Sequence, residues 1–102
     1  MLLNNLINRI KQINPNIEFA GEFDDRNRKT GYWEHYYSNG NIRLKCGYLN
    51  GIRDGLFEVF FYDGTLQTKG SFKKGRKHGE WVFYHSNSNL FKKTMYDNGF
   101  EI

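Results

Sequence analysis

Gly31-Tyr32-Trp33-Glu34-His35-Tyr36-Tyr37-Ser38-Asn39-Gly40 decides how this chain folds, because it comes back twice. Gly55-Leu56-Phe57-Glu58-Val59-Phe60-Phe61-Tyr62-Asp63-Gly64 lies 24 positions on, and Gly79-Glu80-Trp81-Val82-Phe83-Tyr84-His85-Ser86-Asn87-Ser88 lies 24 beyond that. The second halves align as well: Ile42, Leu66 and Leu90 correspond, as do Tyr48, Phe72 and Tyr96, then Gly51, Gly75 and Gly99. A half unit precedes them. Gly21-Glu22-Phe23 with Arg28-Lys29-Thr30-Gly31 echoes Gly70-Ser71-Phe72 with Arg76-Lys77-His78-Gly79, with one extra residue. The chain therefore divides into a half unit at 17–30 and units at 31–54, 55–78 and 79–102. A fixed period of this length marks a stacked array, in which each unit buries its apolar surface only against its neighbours.

Each unit carries two turn signals. Asn39-Gly40 and Asp63-Gly64 are the residue pairs favoured in type I′ hairpins, and Asn87-Ser88 is their weaker third copy. Asn50-Gly51, Lys74-Gly75 and Asn98-Gly99 mark a longer turn between units. The runs between turns have ordinary strand lengths. They predict strands near 17–23, 32–38, 41–48, 56–62, 65–72, 80–86 and 89–96, joined by successive hairpins into a meander. The fold class is mostly β: a single antiparallel sheet of six or seven strands. Residues 1–14 differ. Leu3, Leu6, Ile7, Ile10 and Ile13 recur at helical spacing, and Asn14-Pro15 ends the pattern. They predict an amphipathic helix that caps the sheet.

Strand side chains alternate between faces. A two-residue turn at 39–40 pairs Tyr37 with Ile42 and His35 with Leu44. That parity collects Trp33, His35, Tyr37, Ile42, Leu44, Cys46 and Tyr48 on an apolar face, with Phe57, Val59, Phe61, Leu66, Phe72, Trp81, Phe83, Leu90 and Tyr96. The other face is more polar and is crossed by one aromatic stripe, Tyr36, Phe60 and Tyr84. A one-residue slip would exchange the faces.

Aromatics are 18% of the 102 residues, which suits half-buried pleated surfaces. The net charge of +4 helps association with anionic partners without specifying one. Cys46 is the single cysteine, so a disulfide scaffold is excluded. The opening residues lack the basic start and unbroken apolar core of a signal peptide, and no run reaches the length of a membrane-spanning helix. These features predict a cytoplasmic protein.

The unit built on Gly31, Trp33, Tyr36, Tyr37, Asn39, Gly40, Tyr48, Gly51 and Gly55 resembles the MORN repeat, in particular its bacterial variant form. The resemblance departs at Cys46 and Thr94, which take the place of Gly70, at Ser88, which replaces a turn glycine, and at His85, which replaces an aromatic. It implies an elongated, twisted sheet of stacked hairpins. It also implies an interaction module, for proteins or sometimes phospholipids, and among bacterial members an antitoxin-like or immunity-type role. It brings no catalytic residues.

The residues agree that chemistry is sparse. His35, His78 and His85 are not spaced as metal ligands, Cys46 lacks a neighbouring ligand, and no phosphate-cradling glycine motif occurs. Neither a cofactor nor an enzymatic activity is expected. The candidate binding residues are the stripe Tyr36, Phe60 and Tyr84, and the basic side chains Arg43, Lys45, Lys69, Lys73, Lys74, Arg76 and Lys77. The last four belong to a basic turn, which Arg26, Arg28, Lys29 and Arg53 extend into a basic edge. The leading expectation is a protein-binding inhibitor or immunity-type protein acting on an enzyme such as a toxin or defence nuclease. The alternatives are RNA binding through the basic and aromatic face, or anionic phospholipid binding, with a membrane partner ranked last. The final strand, 89–96, leaves an edge through which a monomer could pair into a homodimer.

Overall fold

A computed structural model describes residues 19–102. Eight strands follow one another in a single antiparallel sheet, in sequence order: β1 (Phe19–Phe23), β2 (Lys29–Tyr36), β3 (Ile42–Leu49), β4 (Ile52–Phe60), β5 (Leu66–Lys73), β6 (Arg76–Tyr84), β7 (Leu90–Asp97) and β8 (Phe100–Glu101). The meander is the one the repeat predicts, with one more strand. The helix expected at 1–14 lies outside the described residues. β8 pairs with Tyr96 and Asp97, so the edge expected along 89–96 is partly occupied.

The two kinds of turn exchange places relative to expectation. Asn50-Gly51, Lys74-Gly75 and Asn98-Gly99 are the tight turns: both residues of each pair have positive φ, the type I′ geometry. They directly join Leu49 to Ile52, Lys73 to Arg76 and Asp97 to Phe100, so β4 and β6 start several residues earlier than expected. At the other end of the sheet only the second residue of each pair has positive φ: Gly40 at 89°, Gly64 at 93° and Ser88 at 70°, while Asn39, Asp63 and Asn87 do not. Gly40 donates to the Tyr37 carbonyl and Tyr37 to that of Asn41, closing a three-residue loop. Asn39 serves there as an acceptor: its Oδ1 takes the Asn41 N–H at 2.9 Å, as Asp63 takes Thr65 and Asn87 takes Asn89. The extra residue of the half unit makes its turn a three-residue loop too, with Asn27 at φ 62°.

The longer loop shifts the register. Tyr36, not Tyr37, pairs with Ile42, and Arg43 becomes an extra bulged residue before His35 meets Leu44. The same step recurs at Phe60↔Leu66 and Tyr84↔Leu90. Ile42, Leu66 and Leu90 therefore leave the face assigned to them and join the stripe, because an odd loop length inverts the parity of the first residue after it.

One face carries Trp33, Cys46, Phe57, Gly70 and Trp81 in a single row. On this tryptophan face the sheet buries its largest rings with no second layer among the described residues. The two indoles are 2% exposed. Trp33 lies flat on Gly21 of β1 and Trp81 flat on Gly70 of β5, where any Cβ would overlap the ring. Each indole N–H donates to the neighbouring strand, to the Glu22 carbonyl at 3.0 Å and to the Ser71 carbonyl at 3.1 Å. In the middle unit the smaller Phe57 faces Cys46 instead. Standing rings wall each indole in: Phe23 and Tyr48 edge-on to Trp33, Phe72 and Tyr96 edge-on to Trp81.

The ring needs room along the strand, and bulges supply it. From Lys69↔Val82 to Phe72↔Lys77, β5 advances three residues and β6 five. The same mismatch recurs between β1 and β2 and between β3 and β4. A cation closes each site. Lys29 Nζ lies 4.8 and 5.0 Å from the Trp33 and Tyr48 ring centres, Lys77 Nζ 5.0 Å from those of both Trp81 and Tyr96, and the Arg53 guanidinium 5.4 Å from those of Phe57 and Phe72.

Two measurements check this packing. Gly70→Ala is expected to lose about 1–3 kcal/mol in urea unfolding, the usual range for an overfilled site. Gly70→Cys with Trp81→Phe copies the Cys46–Phe57 pairing and is expected to be more stable than Gly70→Cys alone. A neutral Gly70→Ala would contradict the flat-ring account. Lys77→Met keeps the aliphatic stem but removes the charge, and is expected to cost about 0.5–1 kcal/mol.

Candidate functional site

The reverse face of the sheet holds two parallel rows. The first runs Tyr36, Ile42, Phe60, Leu66, Tyr84, Leu90, alternating aromatic and aliphatic side chains from β2 to β7. Tyr36 is 6% exposed, and burial raises its phenol pKa. Phe60 and Tyr84 are half-buried, and Leu90 is 56% exposed. The row thus opens progressively toward β7, where Met95, Phe100 and Ile102 are also exposed.

The second row is a charge ladder. Glu34 opposes Lys45, Lys45 opposes Glu58, and Glu58 opposes Lys69. The alternation is one of register: these charges stand on neighbouring strands without forming ion pairs among the described residues, and Lys45 Nζ lies 5.4 Å from the Tyr32 ring centre. The alternation breaks at β6, where Val82 stands between Lys69 and Lys93. Glu80, two residues away, pairs with Lys93 at 3.2 Å. Beside Val82 lies an open cleft of about 320 Å³, lined by Gly55, Leu56, Lys69, Gly70, Ser71, Glu80 and Val82.

The structure thus distributes the sequence-derived basic residues over four settings. Lys45 and Lys69 alternate with carboxylates in the ladder. Lys77 is on the tryptophan face between two rings, as are Lys29 and Arg53. Lys73, Lys74 and Arg76 are exposed at the tight turn. Arg43 is the bulged residue of β3 and holds the His35 pKa down, an effect second to burial of the imidazole. The cation row was readable as the 24-residue recurrence of Lys29, Arg53 and Lys77, but their side of the sheet was not.

Among the described residues no group of His, Cys, Asp and Glu could hold a metal ion. Cys46 opposes Trp33 as the register predicts, and it is buried at 1% exposure. Burial raises its thiol pKa, the reverse of what activates a nucleophile. His35 is a row neighbour on the same face, with its own pKa lowered by burial.

The 24-residue unit, the glycine-backed rings and the paired turns now stand as one repeating hairpin. β2–β3, β4–β5 and β6–β7 are its three copies. Comparison with curated proteins and with solved structures gives no match. A family model does match: the MORN repeat variant, at residues 29–50, 53–74 and 77–98. The matched segments coincide with the three hairpins and cover well over half of the chain, which therefore belongs to the MORN repeat variant family.

Proposed function

We propose that this chain is a non-catalytic protein-binding module that inhibits or neutralises a partner enzyme, such as a toxin or a nuclease of a defence system, in the cytoplasm. MORN repeats suggest a binding module, and the reverse face has the make-up of a protein contact. The observation that carries the reading is the ladder Glu34, Lys45, Glu58, Lys69 beside the row Phe60, Leu66, Tyr84, Leu90. The two carboxylates and two ammonium groups of the ladder balance, so the centre of the face has no net charge to draw a polyanion across it. The neighbouring aromatics supply anchors of the kind that dominate protein interfaces. Phe60 and Tyr84 are the anchors, and Tyr36 fixes the buried end of their row.

Nucleic acid ranks second. The tryptophan face favours it, since Lys29, Arg53 and Lys77 pair with no carboxylate among the described residues.

The test is affinity capture from the native host with wild-type protein and with Phe60→Ala/Tyr84→Ala, followed by activity assays on the captured enzyme. The double variant is expected to lose the partner by about tenfold or more while keeping its circular dichroism spectrum, as loss of interface hot spots does. Equal capture by both proteins would remove the stripe from the site.

A further inference from the structure

The two inner tight turns are equivalent in geometry but not in chemistry. Leu49-Asn50-Gly51-Ile52-Arg53-Asp54 and Lys73-Lys74-Gly75-Arg76-Lys77-His78 lie 24 residues apart. Their strands pair in the same register, Leu49 with Ile52 and Lys73 with Arg76. The residues that stack one unit on the next are retained. Gly51 donates to the Lys29 carbonyl and Gly75 to the Arg53 carbonyl, and Arg53 and Lys77 each cover two rings. Other positions change, two of them in contact with the next turn: Asp54 Oδ1 accepts the Lys74 N–H at 3.2 Å, and Ile52 lies beneath Gly75 as Arg76 lies beneath Gly99. Lys73, Lys74, Arg76 and His78 replace Leu49, Asn50, Ile52 and Asp54, and Val82 replaces Glu58.

Stacking does not require Lys73, Lys74 or Arg76, because the previous turn stacks with Leu49, Asn50 and Ile52 in their places. Their effect is electrostatic. Over those five positions the formal charge goes from −2 (Asp54, Glu58) to +3 (Lys73, Lys74, Arg76), counting His78 as neutral. Lys73, Lys74 and Arg76 are exposed, and among the described residues their side chains pair with no carboxylate. Lys74 also occupies φ 52°, where the other two tight turns have Asn50 and Asn98. Asparagine tolerates that left-handed region better than lysine, so the turn carries its lysine against backbone preference.

Next to this turn on the reverse face is the cleft between Leu56 and Val82, with Lys69 at its rim. We propose that the corner from this cleft to the Lys74 turn docks an acidic segment of the partner protein, anchored by one apolar side chain. Carboxylates meet Lys73, Lys74 and Arg76, and the apolar side chain enters the cleft against Leu56 and Val82. A polypeptide fits better than a phosphate chain. Glu58 and Glu80 stand beside the cleft, and Asp97 Oδ1 lies 3.8 Å from His78 Nδ1. A continuous polyanion would run against those carboxylates, whereas separate side chains interleave with them. The inference rests on the protein-binding reading above and names the chemistry of its partner.

The test uses residues that the preceding turn itself supplies, at the three exposed positions: Lys73→Leu, Lys74→Asn and Arg76→Ile together, with His78 kept because Asp97 lies 3.8 Å from it. The probe is a fluorescein-labelled peptide of four acidic residues followed by Gly-Leu-Phe, with a lysine-for-acid peptide and single-stranded oligothymidine as comparison arms. The wild type is expected to bind the acidic peptide, less tightly as salt rises, and the variant at least about tenfold more weakly. The variant's melting temperature is expected to equal or exceed the wild type's, since Asn relieves the strained turn; this shows that lost binding is not lost fold. Equal affinity for wild type and variant would overturn the inference. So would absence of acidic-peptide binding, or tighter binding of oligothymidine, which would assign the corner to nucleic acid. If host capture survives the turn variant but fails with Phe60→Ala/Tyr84→Ala, the acidic-segment inference falls and the protein-binding reading stands.

Discussion

Everything in this sheet depends on a ring lying flat on a glycine. Among the described residues the antiparallel sheet has no second layer to bury its side chains. The chain solves this by using the backbone as the floor. Trp33 on Gly21 and Trp81 on Gly70 touch the strand beneath them directly, and each indole N–H finds a backbone carbonyl there. Burial of the indole, satisfaction of its one polar atom and the strand pairing are thereby one requirement. The bulges on β2, β4 and β6 follow, since the bulky residue must arch over the neighbouring strand. So do the standing rings and the cation set between them.

The middle unit shows how tightly the two positions are coupled. Where Cys46 occupies the place of the glycine, the ring above is Phe57, not tryptophan. Either departure alone costs stability: a cysteine under an indole overfills the site, and a phenylalanine over a glycine leaves a void. The repeat therefore varies in matched pairs. Lys73, Lys74 and Arg76 lie outside these matched pairs, and their charged ends are exposed at the turn.

Much of this was legible in the sequence. The period of 24, the glycines at turns and the spacing of apolar runs determine a meander, because few other folds keep such short strands in such strict repetition. The half unit's extra residue was visible and became an extra loop residue at Asn27. The turn classes were not legible, because Asn-Gly satisfies both a type I′ pair and the end of a three-residue loop, and only the flanking pairing separates them. That ambiguity carried Ile42, Leu66 and Leu90 to the wrong face. The stripe Tyr36, Phe60 and Tyr84 was readable as a row, but the burial of Tyr36 was not, since it depends on Ala20 and Ile42 packing around it. The basic residues were visible as a cluster. Their division among ladder, ring clamp and open turn is a matter of strand parity, which a single bulge inverts.

Folding depends on the tryptophan face, the proposed binding falls to the reverse face, and two adjacent residues of β6 separate the two. Phe83 pairs with Thr68 on the tryptophan face, and Tyr84 pairs with Leu66's counterpart, Leu90, on the reverse face. A photoreactive benzoylphenylalanine placed at each position in turn, and irradiated in host extract, reads which face meets the partner. The account predicts a crosslinked partner from position 84 and none from position 83. Crosslinking from position 83 alone would place the contact on the tryptophan face and contradict it.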